Sequence, residues 1–206
     1  MRCIQSGRSM VEMLGVLAII GVLSVTGITG YTKSMTKHKI NKTVHAASQL
    51  LSVIIEKNIL HDANLSIATG VAKTIIKAGW MPNDFTYDKI HYDYLKDSNN
   101  NIVWIYPLNN GISVNWAFSK YSKELCYAFI DLGKECNADI KYVQTSYSQN
   151  SNASSGTKIF ATFYGSNNCS AGVKCLSKVS LTDIDNACNK CEENTCRFSF
   201  VTIAAK

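Results

Sequence analysis

Hydrophobic and polar positions split the chain into an apolar front and a rear of short alternating segments. Positions 13–32 carry no charge. A run of about 20 such residues is enough for one helix to cross a bilayer at roughly 1.5 Å rise per residue. Leu14, Val16, Leu17, Ile19, Ile20, Val22, Leu23, Val25 and Ile28 supply apolar surface. Gly15, Ala18, Gly21 and Ser24 lie three apart and lay a smooth strip where another helix can come close. Beyond Thr32 the pattern turns amphipathic. Met35, Ile40, Val44, Ala47, Leu51, Ile54 and Ile55 recur at three- and four-residue steps, and Leu50, Val53, Ile59 and Leu60 widen the stripe. Lys37, Lys39, Lys42 and Glu56 fill the other faces. As one helix, residues 8–60 would measure about 80 Å. The alternative is two helices broken near Gly27 and Gly30.

Residues 61–64 read as a break, and residues 67–78 as a short helix ending at Gly79 in the C′ position. Residues 80–84, 98–101 and 109–111 have turn composition. Between the last two turns, residues 102–106 are strand formers. Ile112, Val114 and Trp116 then alternate with Ser113, Asn115 and Ala117, which predicts a hairpin. Residues 122–133 read as a helix closed by Gly133, residues 140–145 and 159–164 as strands, and residues 146–156 as a polar loop. Thr182 is an N-cap candidate for a short helix over 182–188 with acidic residues in its first turn. Phe198, Phe200 and Thr202 alternate with Ser199, Val201 and Ile203 in a final strand. No internal repeat stands out.

At 206 residues the chain can hold one membrane segment and one globular domain with its own core. Its two prolines, Pro82 and Pro107, build no linker. The formal net charge of +6 is dispersed, except for Lys33, Lys37, His38, Lys39 and Lys42 directly after the apolar run. That cluster reads as a solvated or headgroup-level face, because a nucleic-acid footprint wants a denser patch with interleaved aromatics. Arg2 and Arg8 mark the preceding side as cytoplasmic by the positive-inside tendency, while the lysines beyond Tyr31 pull the other way. Residues 1–7 are too short and polar for an ordinary secretory signal, whose apolar region precedes the cut.

There are eight cysteines: Cys3, then Cys126, Cys136, Cys169, Cys175, Cys188, Cys191 and Cys196. Clustering at the rear argues for disulfides formed in an oxidising compartment, and an odd number leaves one thiol over or pairs it between chains. Cys188 and Cys191 form a Cys-x-x-Cys, which could be a redox pair or half a zinc site. Redox work would want a βαβ setting, and zinc a second pair at ligand spacing. Cys169 and Cys175, with five residues between them, do not supply one. His38, His45, His61 and His91 show no ligand spacing, and no Gly-rich phosphate loop occurs. The expectation is no metal, no cofactor and no enzymatic activity.

Glu12 sits just inside the apolar run. A carboxylate at the centre of a membrane helix costs about 2.5–3.5 kcal/mol, and less near the edge, so Glu12 is either a functional residue or one placed at headgroup level. Gly7 is followed by Arg8-Ser9-Met10-Val11-Glu12 and then the apolar run. This resembles the N-terminus of the type IV pilin family, pseudopilins included. The resemblance implies a leader over residues 1–7, cut after Gly7 by a prepilin peptidase. Arg8 becomes the first mature residue, its amine a candidate for methylation, and Glu12 the fifth, with an assembly role. The family usually has an apolar first residue and a proline along the helix. Here Arg8 takes the first place, and Gly27 and Gly30 the second, so any bend would use glycine. The implied organisation is leader 1–7, transmembrane or fibre-core half 8–31, amphipathic half 32–60 and globular domain 61–206. The implied fold is α+β: a long N-terminal helix, membrane-spanning in its first half, packed on an antiparallel sheet with short helices and a disulfide-stapled C-terminal region.

The rear is similar to the type IVb branch. Gly79-Trp80-Met81-Pro82 follows the second helix, then come a strand pair, a short helix carrying one cysteine, and a late Thr/Asp-rich helix ending Ala187-Cys188 before a terminal strand. Carried over, the branch's bridge joins Cys126 to Cys188. It would close about 60 residues and contribute roughly 4 kcal/mol in the chain-entropy model. Local candidates beyond it are Cys169 with Cys175 and Cys191 with Cys196, leaving Cys136, although connectivity cannot be read from sequence. The resemblance also implies a single pass in the bacterial inner membrane, transfer through a pilus assembly platform, and a homo-oligomeric helical fibre with other pilins at the cell surface, serving adhesion, aggregation or motility. In the fibre, Glu12 would pair with the Arg8 amine of a neighbour. The 146–156 loop and the cysteine-rich end could touch host cells, other fibres or DNA. The rivals are a pseudopilin of a type II secretion system and an uncleaved, membrane-anchored periplasmic binding protein in which Glu12 is incidental.

Overall fold

The computed structural model describes residues 10–57, 59, 71–88, 94–108, 111–148, 157–191 and 196–203, without the side chains of 10–12, 22–27, 88, 148 and 157. The chain divides into two compact units, Met1–Lys39 and Ile40–Lys206, so the division falls inside the first helix.

That helix, α1, runs unbroken over Met10–Glu56, 47 residues. It passes through Gly27 and Gly30 without a break. A glycine costs only about 1 kcal/mol against alanine in a helix interior, less than ending the helical hydrogen-bond ladder twice. Among the described residues no helix is long and apolar enough to cross a membrane. The expected long helix forms, while its membrane-spanning first half finds no support among the described residues.

In the second unit, α2 spans Val71–Lys77. It ends in a Schellman motif, with Gly79 at φ 71° in the left-handed region where glycine carries no steric penalty. The Gly79 N–H donates to the Ile76 carbonyl and the Trp80 N–H to the Ile75 carbonyl, both at 3.0 Å. Among the described residues seven strands make one sheet: β1 Phe85–Asp88, β2 Tyr94–Asp97, β3 Ile102–Leu108, β4 Gly111–Ala117, β5 Ile140–Ser148, β6 Thr157–Tyr164 and β7 Cys196–Thr202. Their order is β1-β2-β3-β4-β7-β5-β6. Every pairing is antiparallel. The predicted β3–β4 hairpin forms, with Val103 opposite Trp116. Two results differ from the sequence reading. Strands β1 and β2 lie within 85–97, a stretch for which the sequence pattern predicts no element. The loop expected from residue 146 begins later, since β5 continues to Ser148 and pairs there with Thr157.

Helix α3 spans Ser122–Glu135 and α4 spans Leu181–Cys188. Gly133 does not terminate α3. It sits inside the helix where a Cβ would come within 2.9 Å of Val143 Cγ1, so it permits close helix–sheet approach. The N-cap of α4 is Ser180 rather than Thr182. Ser180 Oγ accepts from the Asp183 N–H while the Asp183 carboxylate accepts from the Ser180 N–H, a reciprocal capping box that Thr182, two residues later and already inside the helix, cannot form.

One face of the sheet lines the core. Phe129 of α3 lies 5.2 Å from Trp116, 5.1 Å from Phe118, 5.4 Å from Phe198 and 5.5 Å from Phe200, ring centre to ring centre. Ala46, Ala47, Leu50, Leu51 and Ile54 of α1 are buried in the same core. A buried polar clip ties α1 to the β2–β3 turn. The Asp97 carboxylate accepts from the Thr43 hydroxyl at 3.1 Å, from the Asn101 amide at 2.8 Å and from the backbone N–H groups of Asn99 and Asn101 at 2.9 Å each. Every lone pair of this buried carboxylate is thereby answered, which is the condition for burying it at all.

Candidate functional site

Gly7 and Arg8 lie outside the described residues. Glu12 falls in the first turn of α1, and its side chain is outside the described set. Immediately beyond it the helix is apolar and exposed: Leu14 is 63% accessible, Leu17 62%, Ile19 62% and Ile28 63%. Met13, Leu14, Val16, Leu17, Ile19 and Ile20 spread over about 220° of the helix circumference, far wider than a single stripe, and Gly15 and Ala18 take the remaining side. A helix apolar all round is stable only where other apolar matter surrounds it, in a large core or in lipid. A Cβ at Gly15, Gly21 or Gly30 would meet nothing within 4 Å.

The cysteines occupy the opposite end of the chain. Cys126 of α3 is bonded to Cys188 at the end of α4, 62 residues apart in sequence. Beside this bridge the Tyr127 hydroxyl donates to the Asp185 carboxylate, joining the same two helices a second time. That bond pulls the Asp185 carboxyl below its usual value and raises the Tyr127 phenol. Cys169 is bonded to Cys175, closing the loop after β6, and Cys191 to Cys196, tying the exit of α4 to the first residue of β7. The two cysteines of the Cys-x-x-Cys thus have different partners, Cys126 and Cys196, and do not form a dithiol pair. Cys136, half-buried at the end of α3, is free. Burial, then the nearby Glu135 and Asp139 charges, push its thiol up, which lowers its thiolate fraction and its reactivity.

The electrostatic partner of the capping box is Lys174. Its ammonium donates to the Asp183 carboxylate, and with the Ser180 bonds it holds that carboxyl down at about 2. Two features escaped the sequence reading. The Asp97 clip was signalled by Asp97 with Asn99 and Asn101 two and four places on, the spacing of an Asx turn, but its Thr43 partner is 54 residues away. The cross-strand row of Trp104, Asn115, Ser199 and Gln144 depends on strand order, which no local pattern carries.

No protein-family model matches the chain, and neither a curated protein nor a solved structure matches it.

Proposed function

We propose that this chain is the structural subunit of a type IV pilus-like fibre, held in the bacterial inner membrane before assembly. The observation that carries the reading is one register. Gly7, Arg8 and Glu12 stand directly before an uncharged run over 13–32, and the described side chains of that run point into open space from every side of α1. In this reading a prepilin peptidase cuts after Gly7. The apolar half first sits in lipid and then packs against its copies along the Gly15, Ala18 and Gly21 strip. Glu12 is taken out of water on assembly, and a buried carboxylate needs a cation. The Arg8 amine of the adjacent subunit supplies it. The second unit, α+β and disulfide-stapled, stays outside. Its three bridges suit a domain that meets an oxidising surface.

The test is N-terminal sequencing and intact mass of protein sheared from cells, with and without thiol alkylation. A chain beginning at Arg8 in long fibres, with six cysteines blocked as bridges, is the expected result. A chain beginning at Met1 and confined to membranes removes the proposal. Long fibres distinguish a pilin from the short piston of a secretion pseudopilin. Glu12→Ala should leave membrane insertion intact and abolish fibres; normal fibres in that variant would exclude the assembly role.

A further inference from the structure

The second unit holds a groove that fibre assembly does not use. One wall is α1, through Ser48, Gln49, Ser52 and Val53. The other is the 80–84 segment between the Schellman turn and β1. The groove encloses about 510 Å³, inside the roughly 300–1,000 Å³ of small-molecule sites.

Its second wall is pinned at both ends. Lys57, one residue past α1, places Nζ 5.5 Å from the centre of the Trp80 ring. At the other end Lys42 Nζ lies 3.6 Å from Asp84 Oδ1. At 1.5 Å rise per residue these two lysines stand roughly 22 Å apart along the helix. Between them the Phe85 N–H donates to the Pro82 carbonyl at 3.2 Å, and the Phe85 side chain is buried in the core. The segment is therefore ordered before any ligand arrives, which lowers the entropy cost of binding.

The lining selects one chemistry. Trp80 keeps 39% of its surface open, and Met81 and Pro82 add apolar lining. Ser48, Gln49, Ser52 and Asn83 bring hydroxyls and amides whose side chains have no hydrogen-bond partner among the described residues. Asp84 is already answered by Lys42, and the Lys57 ammonium is turned onto an aromatic ring, so no charge is left waiting for a counter-ion. An anion would meet Asp84, and a cation would meet the two lysines. A purely apolar ligand would strip water from the hydroxyls and amides and return no hydrogen bond. A pyranose avoids all three penalties. Its C–H face lies against an indole, its hydroxyls both donate and accept, and it carries no charge.

We propose that this groove binds an uncharged sugar, one or two pyranose rings at the end of a glycan. Trp80 carries the ring face. The Gln49 and Asn83 amides and the Ser48 and Ser52 hydroxyls take the ring hydroxyls. The groove lies wholly within the second unit and stands whether or not the chain forms fibres.

The test uses the full chain in a detergent without a sugar headgroup, since a glycoside detergent would compete. Maltose, lactose and N,N′-diacetylchitobiose are titrated by saturation-transfer NMR, with digalacturonate as the charged probe. At least one neutral disaccharide should bind with a Kd near about 1 mM, and digalacturonate at least about tenfold more weakly. Trp80→Ala should weaken the neutral sugar at least about tenfold and Gln49→Ala about threefold. Gln49 is exposed on a helix, where alanine is tolerated, so that variant keeps the fold. An unchanged melting temperature verifies Trp80→Ala. Lys158→Gln on β6, outside the groove, should leave the affinity unchanged. Binding of none of the three neutral sugars, digalacturonate binding as tightly as they do, or full affinity in Gln49→Ala and in a stably folded Trp80→Ala overturns the proposal.

Discussion

The two halves of α1 obey opposite rules. Over 13–31 the helix is rich in large aliphatic residues, and Leu14 and Leu17 are more than half exposed at 63% and 62%. Over 40–56 it carries fewer, yet Ala46, Ala47, Leu50 and Leu51 are fully buried. Hydrophobic content therefore does not decide burial; arrangement does. The second half concentrates its apolar residues on one stripe that its own domain covers, with lysines left outside. The first half spreads them over every side, and no single face of a domain can cover that. At roughly 25 cal/mol per Å² of apolar surface, such a segment is stable only in an environment the chain does not supply. One half is written for the fold, and the other leaves its apolar side chains uncovered by it.

This contrast can be broken by changes that should affect one half and spare the other. The largest effect is expected far from the first half. Replacing Cys126 and Cys188 together by serine releases a 62-residue span, and should lower the stability of the second unit by roughly 4 kcal/mol in chemical denaturation. Fractionation should still find the chain in membranes. A stable domain without the bridge would mean that α3 and α4 are held by Tyr127 and the core alone. Next, Leu51→Ala deletes a side chain with no exposure and should cost about 3 kcal/mol through lost burial and a cavity. Leu17→Ala should leave the same unfolding midpoint unmoved while weakening fibre formation. If both leucines shift the midpoint alike, the two halves do not differ as described. Smaller again, Asp97→Ala orphans the Thr43 hydroxyl and the Asn101 amide in the buried clip and should cost about 2 kcal/mol. Hydrogen exchange should show the loss first in the β2–β3 turn.

Much of this fold was legible because its signals are local. The hairpin announced itself by alternation at Ile112, Val114 and Trp116, and α2 by a glycine in the one place where a Schellman motif needs it. Signals that depend on distant partners misled. Gly133 looked like a helix terminator because glycine usually is one, and only the proximity of Val143 reveals its other use, close packing. Strands β1 and β2 are short segments of four residues, too brief for periodicity to register. Of the proposed assembly site, Gly7 and Glu12 are readable as a motif in the sequence, and α1 supplies an exposed apolar helix directly after Glu12. The cross-strand row of Trp104, Asn115, Ser199 and Gln144 was invisible beforehand, since these residues become neighbours only once β7 inserts between β4 and β5.

The smallest effect concerns acid, and it also separates the two regions. Positions 13–32 hold no charged residue, so acidification has no carboxylate there to protonate. At the far end, Lys174 and Ser180 hold the Asp183 carboxyl at about 2, below its ordinary 3.8. A folded-state value below the unfolded one means that unfolding takes up protons. The stabilisation is complete above about pH 4 and disappears as pH falls through 2. Asp183 and its partner Lys174 both keep part of their surface in solvent, so water and salt screen the effect and its size should be small. Melting temperatures of wild type and Asp183→Asn, followed in the near-ultraviolet at pH 5, 3 and 2, measure it. Wild type should be the more stable at pH 5, and the gap should close by pH 2, because the protonated carboxyl no longer holds Lys174 and the asparagine never did. A gap that stays constant across this range would show that the capping box acts through its backbone bonds alone. In that case the rear unit owes nothing at this corner to charge.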